Sequence, residues 1–138
     1  MRLPILAIAL LTLLSLSARP AIAQDQPHHI IVTRDGGAHL ERGTIRSYDD
    51  VRYQVSVDAA GVLRIGLKSV VGSNLFNVYA PGTEPGKDEA IFKGASEGTK
   101  AELPLRKPGL YLIQVFLMRN AARRGTTSRY TLSVELTK

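Results

Sequence analysis

Apolar and polar side chains alternate with a period of two through most of this chain. Val51, Tyr53, Val55 and Val57 alternate with Arg52, Gln54, Ser56 and Asp58. One face is therefore apolar and the other wet, and the apolar face is built from β-branched and aromatic residues, so a strand is predicted over 51–58. Ala59-Ala60-Gly61 turns the chain, and 62–68 repeats the pattern with Leu63, Ile65 and Leu67 against Arg64, Gly66 and Lys68. The two segments are expected to pair as an antiparallel hairpin. Short strands follow at 75–79, 89–93 and 100–105. The turn-rich stretch from Pro81-Gly82 to Pro85-Gly86 and the turn Lys107-Pro108-Gly109 separate them.

Residues 110–118 are nearly all apolar and are expected to form a central strand covered on both faces. Residues 120–128 form a loop in which Asn120-Ala121-Ala122-Arg123-Arg124 has room for one helical turn. The closing strand, 129–136, points Tyr130, Leu132, Val134 and Leu136 to one side. With no long helical period anywhere in this stretch, the fold class is all-β, a single antiparallel β-sandwich or jelly-roll-like domain.

The first residues do not belong to that domain. Arg2 precedes an apolar run over 5–16, and Ala21-Ile22-Ala23 is a small-x-small triplet. The run is shorter than the roughly 20 residues a membrane-spanning helix needs. Residues 1–23 read as a cleavable secretory signal, which places the mature chain, 24–138, in the periplasm without membrane insertion. Residues 24–41 are polar, carry Pro27, Gly36 and Gly37, and are expected to be a flexible arm with one short strand at His29-Ile30-Ile31-Val32. The chain has no cysteine, so this exported domain holds together by burial and backbone pairing.

Charge narrows the function. The net charge is +6, and leaving out Arg2 and Arg19 lowers it to +4, with 16 basic against 12 acidic residues. That surplus is too small for a nucleic-acid footprint, and none is expected as a partner. Catalysis is not expected either. There is no cysteine nucleophile, and His28, His29 and His39 all lie near the mature N-terminus, where a base is poorly held for a Ser-His-Asp arrangement. His28 and His29 point to opposite sides of an extended chain, so even with Asp25 or Asp35 they make a poor chelate. Asp49 and Asp50 likewise diverge, and an Asx-capped turn explains them better than acid–base work. Neither a cofactor nor a metal is expected.

Two features are left. Leu117-Met118-Arg119-Asn120-Ala121-Ala122-Arg123-Arg124 ends an apolar strand in a cationic loop, and Arg129 follows closely. Solvated arginines are common after strands, and their stems cover apolar edges. The functional reading is that Arg119 and Arg123 present planar guanidinium forks to an acidic partner. The second feature is Tyr48, which sits between two strands in Ser47-Tyr48-Asp49-Asp50, where it either caps the core or serves as a rigid contact residue.

Three segments resemble the periplasmic inhibitors of g-type lysozyme: Tyr48-Asp49-Asp50-Val51-Arg52-Tyr53, Gly72-Ser73-Asn74-Leu75-Phe76-Asn77-Val78, and Tyr111-Leu112 through Arg124. With the closing Arg129-Tyr130-Thr131-Leu132, the match spans most of 43–136. Leu75 is a small departure at a position where an aromatic or another residue is expected variably, and residues 24–41 have no clear counterpart. The resemblance implies a β-sandwich that blocks the substrate cleft of a g-type lysozyme. It implies binding roles for Tyr48, Arg119 and Arg123, which match loop residues the family inserts into that cleft. Asp49, Asn74, Asn120 and Arg124 are expected as supporting contacts, although Asn74 and Phe76 match a motif that reads as structural first. The family is also similar to the β-sandwich domains appended to secreted peptidases, so the alternative is an accessory domain that binds protein or glycan without inhibiting. No Trp and five Tyr leave little for a sugar platform.

Overall fold

The computed structural model describes residues 26–138; the signal segment expected over 1–23 lies outside the described residues. Nine strands form two sheets: β1 (His28–Val32), β2 (His39–Arg46), β3 (Asp50–Val57), β4 (Gly61–Ser69), β5 (Asn74–Tyr79), β6 (Phe92–Lys93), β7 (Lys100–Leu105), β8 (Gly109–Leu117) and β9 (Thr127–Thr137). Two short helical turns, α1 (Gly94–Glu97) and α2 (Arg119–Arg123), sit in the connections. One sheet has the order β1-β3-β8-β5-β6 and the other β2-β9-β4-β7. The fold is the all-β sandwich that the alternation predicted. Among the described residues no helix is long and apolar enough to cross a membrane.

The expected hairpin of 51–58 with 62–68 does not form. β3 pairs with β1 and β8, whereas β4 pairs with β7 and β9 in the opposite sheet. The turn after β3 carries the chain across the sandwich, so Tyr53, Val55 and Val57 of one sheet and Leu63, Ile65 and Leu67 of the other all enter the same core. Two alternating segments joined by a short turn look identical in sequence whether they pair edge to edge or arch between sheets. Nearly every connection here arches; only β5 and β6 are consecutive neighbours.

Two further expectations are corrected. β8 is central in its sheet, but only one of its faces is buried. Tyr111, Ile113, Val115 and Leu117 point inward, whereas Leu112, Gln114 and Phe116 on the outer face are half-covered and Leu110 is exposed. Its continuous apolarity is therefore not a sign of double burial. In the arm expected over 24–41 to be flexible, the short strand expected at 29–32 forms as β1, and it is fixed as an edge strand parallel to β3, in register from His28 opposite Tyr53 to Val32 opposite Val57. Ile30 and Val32 are buried, each worth roughly 1.5–3 kcal/mol of apolar burial, which fixes the segment. It is also the one parallel pairing among the described residues.

A polar contact joins the two sheets inside the core. The hydroxyls of Tyr53 on β3 and Tyr130 on β9 lie 2.7 Å apart, and both residues are buried. Gly43 stands opposite Tyr130 in the β2–β9 register, and a Cβ there would collide with the Tyr130 hydroxyl and ring. Glycine is thus the residue that lets this ring lie across the edge strand. His28 stacks on Tyr53 from the open side, with ring centroids 5.1 Å apart.

Burial raises the pKa of both tyrosines, since a phenolate would be desolvated there; the hydroxyl bond adds to the rise for Tyr130 and opposes it for Tyr53. Both therefore keep their protons to higher pH in the fold than in the unfolded chain, where tyrosine ionises near about pH 10. Stability from this pair is expected to be complete below that value and to fall as the pH rises past it, by at most about 1.4 kcal/mol per pH unit for each tyrosine. Urea titrations at stepped alkaline pH check this, with Tyr53→Phe/Tyr130→Phe flattening the fall. Tyr130→Phe alone leaves a hydroxyl buried without its partner and is expected to cost about 1–3 kcal/mol, more than the double replacement costs per residue.

Candidate functional site

Three connections meet at one end of the sandwich: β2–β3 (residues 47–49), β4–β5 (residues 70–73) and β8–β9 (residues 118–126). Their backbones are bonded to one another. The Ser47 N–H donates to the Thr126 carbonyl (2.9 Å), and the Ser47 hydroxyl donates to the Ala122 carbonyl (3.0 Å). The Met118 N–H donates to the Ser73 carbonyl (2.9 Å). Ser47 makes its two bonds from the left-handed region, at φ 54°, where a non-glycine residue is strained. The Asp49 N–H closes the turn onto the Arg46 carbonyl (3.0 Å).

The helical turn expected near Asn120 is α2. Its sequence sorts itself by side: Ala121 and Ala122 are buried against the core, while Arg119, Asn120 and Arg123 are exposed. Gly125, at φ 70°, ends the turn, and its N–H donates to the Ala122 carbonyl (2.9 Å). Arg119 and Arg123 are four residues apart and so share one side of α2. Like charges at that spacing repel by a few tenths of a kcal/mol. No ion pair among the described residues includes Arg119, Arg123 or Arg124. The protein thus holds adjacent cations on buried alanines without neutralising them.

Tyr48 and Arg119 line the same groove, of about 360 Å³, on the outer face of the five-stranded sheet. Phe116, Gln114 and Asn77 form its floor, and Asp49 and Asp50 stand on the Tyr48 side. The outward apolar residues of β8 have their use here, as the floor of a surface groove. Tyr48 is 67% exposed, so it does not cap the core. Asp50 accepts from Arg52 Nε (2.9 Å) and from Gln114 Nε2 (3.0 Å), so its charge is spoken for within the sheet. The Asx-capped turn expected for Asp49 and Asp50 is absent: Asp50 belongs to β3, and Asp49 sits exposed in the turn.

The remaining site residues separate by location. Arg123, Arg124 and Asn120 lie on the same end but do not line the groove. Asn74 is 1% exposed, beneath the loops, and its Oδ1 accepts from the Ser128 hydroxyl (2.6 Å). It is a buried part of the support and not a contact, which corrects the expectation. Its Nδ2 has no partner. Val70, Val71 and Met118 are exposed at the same end and carried no functional reading in the sequence. Consecutive valines before a glycine look like the end of a strand, and only the convergence of loops reveals them as a tip. No cluster of metal-ligating side chains occurs among the described residues. His39 bonds to Glu41 (2.8 Å) and His28 packs on Tyr53.

The chain has the fold of the PliG inhibitors. It matches the crystal structure of Aeromonas hydrophila PliG, a periplasmic inhibitor of g-type lysozyme, with a TM-score of 0.65 and 28% identity, covering 81% of this chain and 100% of that one. A mutant of the Escherichia coli PliG inhibitor matches with a TM-score of 0.52 and 20% identity, over 80% of this chain and 99% of that one. The pre-peptidase C-terminal domain of Bacillus anthracis collagenase matches with a TM-score of 0.56 and 17% identity, over 80% and 95%. No family model matches. No curated protein matches.

The role of Ser47 can be measured. Ser47→Val loses the hydroxyl bond and places a β-branched residue at positive φ, and is expected to cost about 1–3 kcal/mol in chemical denaturation. Faster hydrogen exchange at the residue-47 amide than at β9 amides is the accompanying signature of loops that have come apart.

Proposed function

We propose that the protein is a periplasmic inhibitor of g-type lysozyme that occludes the enzyme's active-site cleft with Tyr48, Arg119 and Arg123. The observation that carries this reading is the shared rim: Tyr48 and Arg119 line one groove, and Arg119 has no ion-pair partner among the described residues. The likeness to Aeromonas hydrophila PliG supports the choice of partner.

The chemistry is complementary on both sides. Glycosidic cleavage requires a general acid, so a muramidase cleft holds at least one carboxyl group. A guanidinium lodged against that group holds it ionised, which removes the proton it must donate, and fills the place of the sugar. Arg119 offers a planar fork suited to a carboxylate. Its backbone is already ordered by α2 and by the Ser47 bonds, so little entropy is lost on docking. Tyr48 supplies rigid, amphipathic area beside it. Asp49, Asn120 and Arg124 flank these residues as supporting contacts, and Arg123 extends the cationic side of the turn. No catalytic step by this chain is part of the mechanism.

A second reading is an accessory β-sandwich that binds protein or glycan without inhibition, favoured by the collagenase domain's similar fold. Binding of peptidoglycan fragments with no lysozyme present would support it. The two separate in one assay: a molar excess of the mature chain is expected to stop lysis of cell walls by a g-type lysozyme, and unchanged lysis would reject the inhibitor reading.

Arg119→Ala is expected to weaken lysozyme binding by about 2–5 kcal/mol if the pair is desolvated, roughly 30- to several-thousand-fold in Kd. A rim-exposed arginine would cost under about 1 kcal/mol. Titration calorimetry with wild-type and variant chains distinguishes these outcomes.

A further inference from the structure

The surplus of positive charge is modest over the whole chain, yet four basic residues outside the arginine turn are gathered on one face. On the outer face of the four-stranded sheet, the half nearest the loop tips presents Arg42 and Arg46 from β2, Lys68 from β4 and Arg129 from β9, all exposed. The register puts Arg42 and Lys68 on either side of Thr131, and Arg129 beside Thr44, one step nearer the tip. Neighbouring strands lie about 4.8 Å apart, so Arg42 and Lys68 stand in rows about 10 Å apart. None of the four joins an ion pair among the described residues. The other half of the same face is neutralised: Arg64 pairs with Glu102 (3.3 Å) and lies opposite Glu135 in the register.

The rim of the cationic half is apolar. Val70 continues β4 beside Arg129, its N–H donating to the Arg129 carbonyl (3.1 Å), and is 77% exposed. Val71 and Met118 are exposed next to it, and Gly72 turns the chain at φ 69°. A shallow hollow of about 230 Å³ lies between Lys68, Val70, Arg129 and Thr131.

We propose that this face docks on a lipid surface bearing anionic phosphate headgroups, with Lys68 and Arg129 on phosphate and Val70 and Val71 reaching the acyl boundary. A row of cations beside protruding aliphatic side chains matches the layering of such a surface, charge outside and hydrocarbon beneath. A protein partner is less well matched, because the aromatic anchors that dominate tight protein interfaces are missing from the outward positions of this half-face. This half-face is flat and carries only arginine, lysine, threonine and valine. Docking in this way covers the four-stranded sheet and leaves the Tyr48–Arg119 groove, on the other sheet, open. The proposal does not depend on the lysozyme reading.

The test is co-sedimentation of the full mature chain with vesicles of phosphatidylglycerol in phosphatidylcholine, against vesicles of phosphatidylcholine alone. Binding is expected only to the anionic vesicles and is expected to vanish in about 1 M salt, where the screening length falls to about 3 Å. Lys68→Glu/Arg129→Glu is expected to reduce binding at least about 30-fold, from the loss of two near-surface cations. Val70→Asp is expected to abolish it. Arg106→Glu/Lys107→Glu makes the same charge change in the β7–β8 turn, at the opposite end, and is expected to leave most binding intact. Equal loss in both charge-reversed pairs would mean that only net charge matters and would overturn the proposal. So would absence of vesicle binding by the wild-type chain. If the Lys68/Arg129 variant instead lost lysozyme binding while the wild-type chain ignored vesicles, the face would belong to the protein partner.

Discussion

The working end of this protein depends on one residue's backbone and hydroxyl. Ser47 gives its N–H to Thr126 and its Oγ–H to Ala122, and thereby fastens the β2–β3 turn to the α2 turn. Those two bonds extend the β2–β9 and β3–β8 ladders, which end at Arg46 opposite Thr127 and Asp50 opposite Phe116, and so hold the Tyr48 turn against the turn that carries Arg119. The strain of its left-handed backbone is the cost of bringing them to one rim, and such strain persists where the surroundings overdetermine it. Ala121 and Ala122 provide those surroundings by burying the inner side of the turn.

The sandwich beneath supplies the rigidity. Because nearly every connection crosses from one sheet to the other, each strand is held by neighbours distant in sequence. Closing such a fold costs much loop entropy before contacts repay it. Once closed, no loop at the working end belongs to a single local hairpin, and movement of one is resisted by strands of both sheets. The Tyr53–Tyr130 contact and the Asn74–Ser128 contact add directional polar links in an otherwise apolar interior. Both link residues of opposite sheets, and buried polar pairs of this kind are costly to half-satisfy.

Much of this was legible along the chain. Alternation located β3, β4 and β9, the apolar run located β8, the short strands read at 75–79 and 100–105 are β5 and β7, and the helical turn allowed for at 120–124 is α2. What stayed hidden has a common cause, since one-dimensional patterns carry no pairing partner. The β3–β4 arch and a hairpin share the same alternation. β2 was overlooked because its outer face is charged and its inner face includes Gly43, whose missing side chain makes sense only once Tyr130 lies across it. The apolar run of β8 suggested burial on two faces, whereas Phe116 lines an open groove. Asn74, expected as a supporting contact although its motif reads as structural first, is interior. The concentration of cations on one half-face cannot be seen in a net charge, because Arg42, Lys68 and Arg129 are scattered in sequence and gathered only by register.

One rim, made by the Tyr48 turn and the arginine turn together, is the surface proposed to meet a g-type lysozyme. Hydrogen–deuterium exchange of the chain with and without that enzyme tests it most directly. New protection is expected at residues 47–50 and 118–126 and none along β7. Protection confined to β7, or to the opposite end around residues 106–108, would contradict it.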